Sequence, residues 1–454
     1  MSVERMTETT DVYTQEQTDV LKGMLNTTFY KKWKNLNCDE TKDLLYTSLE
    51  FIINHNCDLA CKYCYMNDYG DEYFKNCDMS DNNILKNMEI YLNFLIENGY
   101  GPDIELFSGG LEVQPIGFKV FDLILEKIKS GLKSKIIVVP SNGSFCLYPK
   151  KIEKIEQYIK DYKKEGVILV FSLSIDGPYM ETNRPFNDSK KKRDNDFYDR
   201  IFKFAKKNGC GFHPMIYAEG IEFWISNFLW FQDKYKQYGI NWDNLYLLEI
   251  RNDCWTKEKS EYFKIFLKFL TEWVWNKTGR TLEGFKNAVV SNNTFNILGH
   301  PISQIGRGMG CSIQTCLHLK TSNLSIVPCH RTAYEFMEAG KYIVKDDKIV
   351  DIIGKNVELF NSTQSQNNEI SPLCSKCVIA PLCQGGCLGA QYEYSGEMHN
   401  PILSVCRNNH YKLKAYYESW KELGILPNML TILSDKKRNA FITFIEEICN
   451  DTTI

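Results

Sequence analysis

Three cysteines, Cys57, Cys61 and Cys64, fall within eight residues directly behind the apolar run Leu49–Ile53. This feature constrains the chain most. It puts three soft sulfur ligands on one short loop at the end of a strand-like segment, an arrangement that suits a metal centre better than a packed core. Eight further cysteines lie between Cys311 and Cys406, out of 17 in the chain. The other six (Cys38, Cys77, Cys146, Cys210, Cys254 and Cys449) are scattered and read as buried or inert thiols. A disulfide framework would need an oxidising compartment. The start, MSVERMTETTDVYTQEQTDV, has no apolar core of signal-peptide length, so a cytoplasmic location and metal binding are expected instead.

The remaining composition narrows the class. At 454 residues, 43% of them apolar, the chain should form two or three cooperating units of a soluble globular protein. A net charge of −3, from 54 basic and 57 acidic residues, argues against a nucleic-acid partner. No uncharged apolar stretch approaches the ~20 residues of a membrane span. Even Tyr262 to Trp275 is broken by Lys264, Lys268 and Glu272. No membrane partner is expected.

Periodicity sets out the organisation. In residues 1–46, Val20, Met24, Leu25, Phe29, Trp33 and Leu36 recur at helical spacing, giving an N-terminal helical extension. Over 47–250, strand-like runs at Leu49–Ile53, Ile104–Phe107, Ile136–Val139, Ile168–Ile175, Gly211–Ile216 and Leu245–Ile250 alternate with five helical patterns. Those patterns are Asn83–Glu97, Phe118–Lys129, Lys151–Lys164, Phe197–Lys207 and Phe223–Gln237. This order predicts an α/β fold, a parallel sheet or partial TIM-like (β/α)6 barrel with ligands at the carboxyl ends of its strands. A helical bridge over 251–309 follows, with Phe263, Phe266, Leu270 and Trp273 as its apolar stripe. Residues 310–410 form a small cysteine-rich α+β domain containing a hairpin, Tyr342–Lys345 and Lys348–Ile353 about Asp346-Asp347, and a polar loop from Asn361 to Glu369. Helices return over 411–454. Trp224, Trp230, Trp242, Trp255, Trp273 and Trp275 read first as core and second as the lining of a cavity.

Three thiolates can hold three irons of a cubane and leave the fourth iron without a protein ligand. Such a cluster can bind a substrate or cofactor, whereas a fully ligated one suits electron transfer. Zinc would ask for a fourth ligand, and His55 approaches awkwardly from two residues before Cys57.

Cys57-x3-Cys61-x2-Cys64 after a first strand, with the aromatic Tyr63 just before the last cysteine, resembles the signature of the radical S-adenosylmethionine (SAM) superfamily. The resemblance implies that these cysteines hold a four-iron cluster whose open iron is chelated by SAM, that Tyr63 packs on adenine, and that reductive cleavage of SAM gives a 5′-deoxyadenosyl radical. Other strand ends are similar to the family in order. Phe107-Ser108-Gly109-Gly110-Leu111-Glu112 resembles the Gly-Gly-Glu that meets the SAM amino group, with Leu111 inserted. Pro140-Ser141-Asn142-Gly143 resembles Thr-Asn-Gly. Ser172-Leu173-Ser174-Ile175-Asp176-Gly177-Pro178, followed by Arg184, resembles the Ser-x-Asp-Gly-Pro…Arg of peptide-modifying members, in which Ser174 and Arg184 would hold the SAM carboxylate.

Behind it, Cys311-x4-Cys316-x12-Cys329, Cys374-x2-Cys377-x5-Cys383-x3-Cys387 and Cys406 resemble the SPASM extension, which carries two auxiliary four-iron clusters. Carried over, Cys311, Cys316, Cys329 and Cys387 would hold the first and Cys374, Cys377, Cys383 and Cys406 the second. Leu324 stands where relatives often have a glycine. From spacing alone, a pair of structural zinc sites fits the same cysteines.

The resemblance implies three [4Fe-4S] clusters, SAM, an external one-electron reductant of flavodoxin or ferredoxin type, and a ribosomally made precursor peptide in which a thioether or related oxidative crosslink is installed. His330 stands where sulfatase-maturing relatives carry an aspartate, and with Asp253 and Glu249 it is a candidate catalytic residue. A structural role for His330 fits equally. The alternatives are a radical SAM dehydrogenase of a small alcohol or sugar, and a metal-stabilised binding protein without catalysis.

Overall fold

The computed structural model describes residues 48–250, 254–291, 295, 297–298, 316–355, 371–383 and 386–450. The N-terminal extension, Asp253, Cys311 and the Asn361–Glu369 loop lie outside the described residues.

Strand β1 (Ser48–Cys57) runs through the middle of an eight-stranded sheet. On one side it pairs in parallel with β2 (Asp103–Gly109), which leads to β3 (Ile136–Ser141) and β4 (Ile168–Leu173). The period-2 alternation of these strands decides which way they face. Leu49, Phe51, Ile53, Ile104, Leu106, Ile137, Val139, Leu169 and Phe171 all join the main core, together with Ile84, Met88, Leu92 and Leu95 of α2 (Asp81–Glu97) and Val120, Phe121 and Ile124 of α3 (Pro115–Lys129). In between, Glu50, Ile52, Glu105 and Phe107 point to the inner face.

The helices begin where the sequence can satisfy their free N–H groups. Ser80 caps α2 by accepting from Asn83 N at 3.4 Å, and Pro115 and Pro149 open α3 and the next long helix, Pro149–Lys164. Asp194 accepts from Phe197 N at 2.9 Å to start Asn195–Asn208, which closes on left-handed Gly209.

The last two barrel strands are shorter than their sequence runs. β5 (Met215–Ile216) and β6 (Leu248–Glu249) pair in parallel as a separate two-stranded sheet, tied to the main one through single bridges from Leu173 to Phe212 and from Phe212 to Leu245. The βα succession of a partial barrel is therefore complete in order.

Residues after 315 extend the barrel's own sheet. β7 (Cys316–Lys320) lies parallel to β1 on the edge opposite β2, and β8 (Ser325–Val327), β9 (Gly340–Lys345) and β10 (Lys348–Gly354) follow antiparallel. The β9–β10 hairpin turns at Asp346 and Asp347, both at positive φ (50° and 57°), as the twist of a two-residue hairpin requires. Leu324 in the β7–β8 turn also has positive φ (57°) and is buried in the main core. The glycine-like turn is kept although a leucine occupies it.

The bridge is one long helix, Lys257–Lys277, capped by Thr256. It packs beside Leu403–Glu422, with Lys268 reaching Glu418 at 3.0 Å and Glu422 at 2.8 Å. Trp224 and Trp255 are buried in the core, and Trp230, Trp242, Trp273 and Trp275 pack against it. No helix among the described residues is long and apolar enough to cross a membrane.

Candidate SAM and cluster site

The three-cysteine loop leaves β1 through an irregularity. Register runs from Ile52 opposite Phe107 to Cys57 opposite Gly109, so the strand gains residues before the first cysteine. Gly109 permits the close approach: a Cβ there would lie 2.4 Å from Asn56 O and 2.5 Å from Cys57 Cβ. The loop is then tied to the segment after β4. Ala60 N donates to Pro185 O at 2.8 Å, Lys62 N to Asn183 O at 2.9 Å, and Asn187 N to Asp58 O at 3.0 Å. Cys64 ends the loop as the N-cap of α1 (Tyr65–Tyr73).

The thiols are held in a desolvated pocket with donors aimed at sulfur. Leu59 N lies 3.4 Å and Asn142 Nδ2 3.5 Å from Cys57 Sγ. Burial pushes the Cys57 thiol up to about 12 and raises Cys61 as well, so neither thiolate is favoured until a cation stabilises it.

The other residues expected at strand ends surround this loop. Tyr63 is buried, its ring 5.3 Å from Tyr217, and its hydroxyl donates to Asp176 Oδ2. Arg184 reaches the second oxygen of Asp176 at 3.2 Å, and Met215 N donates to that same oxygen at 2.9 Å. Arg184 Nε is buried with no partner among the described residues. Ser174 shares a 2.9 Å hydrogen bond with His213, whose imidazole burial depresses to about 4.

Glu112 is the more telling group. Gly110, at φ 93°, swings the chain into a short 3-10 turn that buries Leu111 in the core and aims Glu112 inward. Ser141 Oγ donates to Glu112 Oε1, while Oε2 is buried without a partner among the described residues. Burial lifts this carboxyl to about 7. Asn142 Nδ2 donates to Asp58 Oδ1 at 2.8 Å, joining this strand end to the cysteine loop.

Four of the rear cysteines share one locality. Burial raises the Cys406 thiol to about 12, with the neighbouring Cys383, Cys374 and Cys377 adding to the rise. Asn409 Nδ2 lies 3.4 Å from Cys383 Sγ. Elsewhere, Cys316 starts β7, Cys329 accepts from Thr332 Oγ1 at 3.4 Å, and Cys387 caps the helix Leu388–Ser395. That helix is fastened beside Cys329 by Arg331, whose Nε sits 2.7 Å from both oxygens of Glu393.

The catalytic candidates separate. Glu249 is engaged by Asn408 at 2.9 Å and Lys412 at 2.5 Å, an ion pair that docks β6 on the Leu403–Glu422 helix. His330 lies on the inner face, its ring stacked on Phe107 at 4.5 Å and 5°. Its Nδ1 is 3.0 Å from Glu50 Oε2, and His318 Nδ1 is 2.9 Å from Glu50 Oε1. Burial alone would lower the His330 imidazole, but the Glu50 carboxylate raises it.

Sequence reading missed Glu50, Glu105, His318 and His213, and quoted Asp176 in a motif without giving it a role. A signal was present for the first two, since each is the one ionisable residue inside an otherwise apolar strand run.

No protein-family model matches the chain, and no curated protein matches it. Among solved structures, anSMEcpe with bound AdoMet and a Cp18Cys peptide is similar over 85% of this chain and 99% of its own, at 17% identity and a TM-score of 0.54. It is an anaerobic sulfatase-maturating radical SAM enzyme. The fold is that of the radical SAM enzymes. anSMEcpe with AdoMet alone gives the same result, at 16% identity and a TM-score of 0.55 over 85% of this chain and 98% of its own. Streptococcus suis SuiB bound to S-adenosylmethionine aligns over 80% of this chain and 77% of its own, at 14% identity and a TM-score of 0.43.

Proposed function

We propose that the chain is a radical SAM/SPASM oxidoreductase acting on a ribosomally made precursor peptide, in which it installs an oxidative crosslink such as a thioether. One observation carries the SAM reading. Two buried atoms on groups of opposite charge, Glu112 Oε2 and Arg184 Nε, have no hydrogen-bond partner among the described residues, beside a loop in which burial raises the Cys57 and Cys61 thiols. Such groups are costly when unpaired. An amino-acid moiety answers both, its ammonium meeting Glu112 and its carboxylate meeting Arg184, with Ser174 beside it.

In this reading Cys57, Cys61 and Cys64 hold the cluster that binds SAM, and Gly109, Gly110, Ser141 and Asn142 shape the floor on which the nucleotide rests. Tyr63 packs near adenine, its ring fixed by Asp176. When bound, the cluster and SAM together supply a 5′-deoxyadenosyl radical that removes a hydrogen atom from the substrate. Cys374, Cys377, Cys383 and Cys406 hold one auxiliary four-iron cluster; Cys316, Cys329 and Cys387 hold the other, with Cys311. Fully ligated clusters of this kind would suit taking the second electron of a net oxidation. His330 faces the same space and can accept a proton from a substrate thiol or amide. Asp253, four residues after β6 in the sequence, is a further candidate. A flavodoxin- or ferredoxin-type protein would supply the electron for SAM.

The test is anaerobic purification followed by metal and product analysis. The account expects about twelve irons per chain, the content of three cubanes. It also expects 5′-deoxyadenosine on reduction with SAM, and a cysteine-containing precursor peptide lighter by two hydrogens. Zinc in place of iron would contradict the cluster assignment. SAM cleavage coupled only to oxidation of a small alcohol or sugar would contradict the peptide.

A further inference from the structure

We infer that Glu50, His318 and His330 form a binding site for a first-row divalent cation on the inner face of the sheet, separate from the cysteine clusters. One ligand atom from each lies within 4.8 Å of the others. Two imidazoles and one carboxylate are a donor set that binds such ions while leaving coordination positions open.

The site is built by the fold. Glu50 of β1 and His318 of β7 are direct partners in parallel register, so their side chains emerge side by side on one face. His330 comes from the turn after Cys329, its ring held flat between Phe107 at 4.5 Å and Tyr65 at 5.9 Å. The nitrogen-to-oxygen separations of 2.9 to 3.1 Å match ligand atoms at right angles around one ion. Two ligands each about 2.1 Å from a shared octahedral centre are about 3.0 Å apart. An ordinary ion-pair network would have the same spacing, and that is the rival.

Access and a further donor favour the ion. Glu50 and His318 are buried, while a third of the His330 side chain is exposed, so a cation can enter from the His330 side and keep open positions there. Glu105 lies next to Glu50 in register on β2, its carboxyl raised to about 7 by burial and by the Glu50 charge, so it puts a further oxygen ligand beside the site. The existence of the site does not depend on the proposed reaction. Its use does: within that reading, an ion here would hold a substrate thiolate or carbonyl at its open positions, with His330 acting through the ion.

The experiment is Mn2+ titration of the anaerobic, cluster-loaded, chelator-washed protein, followed by the electron paramagnetic resonance signal of free Mn2+. One tightly bound Mn2+ per chain, displaced by Zn2+, is expected. Glu50→Gln and His318→Gln should each weaken it at least a hundredfold, beyond the ~10–100-fold of outer-shell changes, with visible cluster absorbance retained. If either variant loses its clusters, His330→Ala provides the same comparison at a partly exposed position. No tight Mn2+ or Zn2+, or equal binding by the variants that keep their clusters, would leave only the ion-pair network and overturn the inference. Because metal binding is read without SAM turnover, its failure and failure of the radical reaction are separate results.

Discussion

Tyr63, the residue before the last cysteine of the loop, donates its hydroxyl hydrogen to Asp176, which lies 113 positions further along the chain. Arg184 shares that carboxylate, so one buried anion fixes both the aromatic ring and the cation beside the cysteine loop.

Breaking this link from its two ends should give unequal effects. Tyr63→Phe removes one donor to a charged acceptor and should cost about 1.5–3 kcal/mol. Asp176→Ala strands the buried Arg184 and should cost more, about 3–5 kcal/mol. Denaturant unfolding of the two variants under anaerobic conditions checks the order; equal losses would remove Asp176 from its central position.

The unpaired oxygen of Glu112 makes stability of the SAM-free protein depend on pH. Its carboxyl is raised from 4.5 to about 7 by burial. The folded state therefore binds the proton more tightly than the unfolded one. The resulting stabilisation is complete below pH ~4.5 and disappears as pH rises through about 7, a change of about 3 kcal/mol. Glu112→Gln should flatten this segment of the profile, and SAM should flatten it in the wild type by supplying a positive charge. A profile unchanged by either would show that Glu112 is already paired.

Gly109→Ala places a methyl group against Asn56 and Cys57 at 2.4–2.5 Å. The loop must move, and the iron content should fall by about four, the content of one cubane, with the auxiliary clusters kept. Iron analysis with visible spectroscopy reads this directly. Full iron content would show that the loop tolerates the displacement.

At Leu324 the usual ranking of small residues should reverse. Both Leu324→Ala and Leu324→Gly lose buried contacts worth about 2–5 kcal/mol. Only glycine relieves the positive φ, which costs an L-residue about 1–2 kcal/mol. The glycine variant should therefore melt higher than the alanine variant; the opposite order would indicate that the turn relaxes on substitution.

The first four strands and the flanking helices were legible because each alternates cleanly between a core-facing and an inner-facing residue, or repeats at helical spacing. β7 and β8 were not. Cys316-Leu317-His318-Leu319-Lys320 is buried on both faces, with Lys320 paired to Glu338 at 3.1 Å, so it lacks the alternation that marks a half-buried strand. That the three cysteines sit on one loop behind a strand was legible from spacing alone. The partners of its neighbours were not, because Asp176, His213 and Glu50 meet Tyr63, Ser174 and His330 only through the closing of the sheet. Glu112 was named from its motif, but its environment was not legible. Its meaning comes from the oxygen the fold leaves unpaired.

The most direct measurement is the electron paramagnetic resonance spectrum of the dithionite-reduced, cluster-loaded protein with and without SAM, compared with Cys64→Ala. The account predicts that SAM alters the signal of one cluster, the one ligated by Cys57, Cys61 and Cys64, and that this SAM-sensitive signal is missing from the variant while the auxiliary signals remain. A wild-type spectrum that SAM leaves unchanged would contradict it.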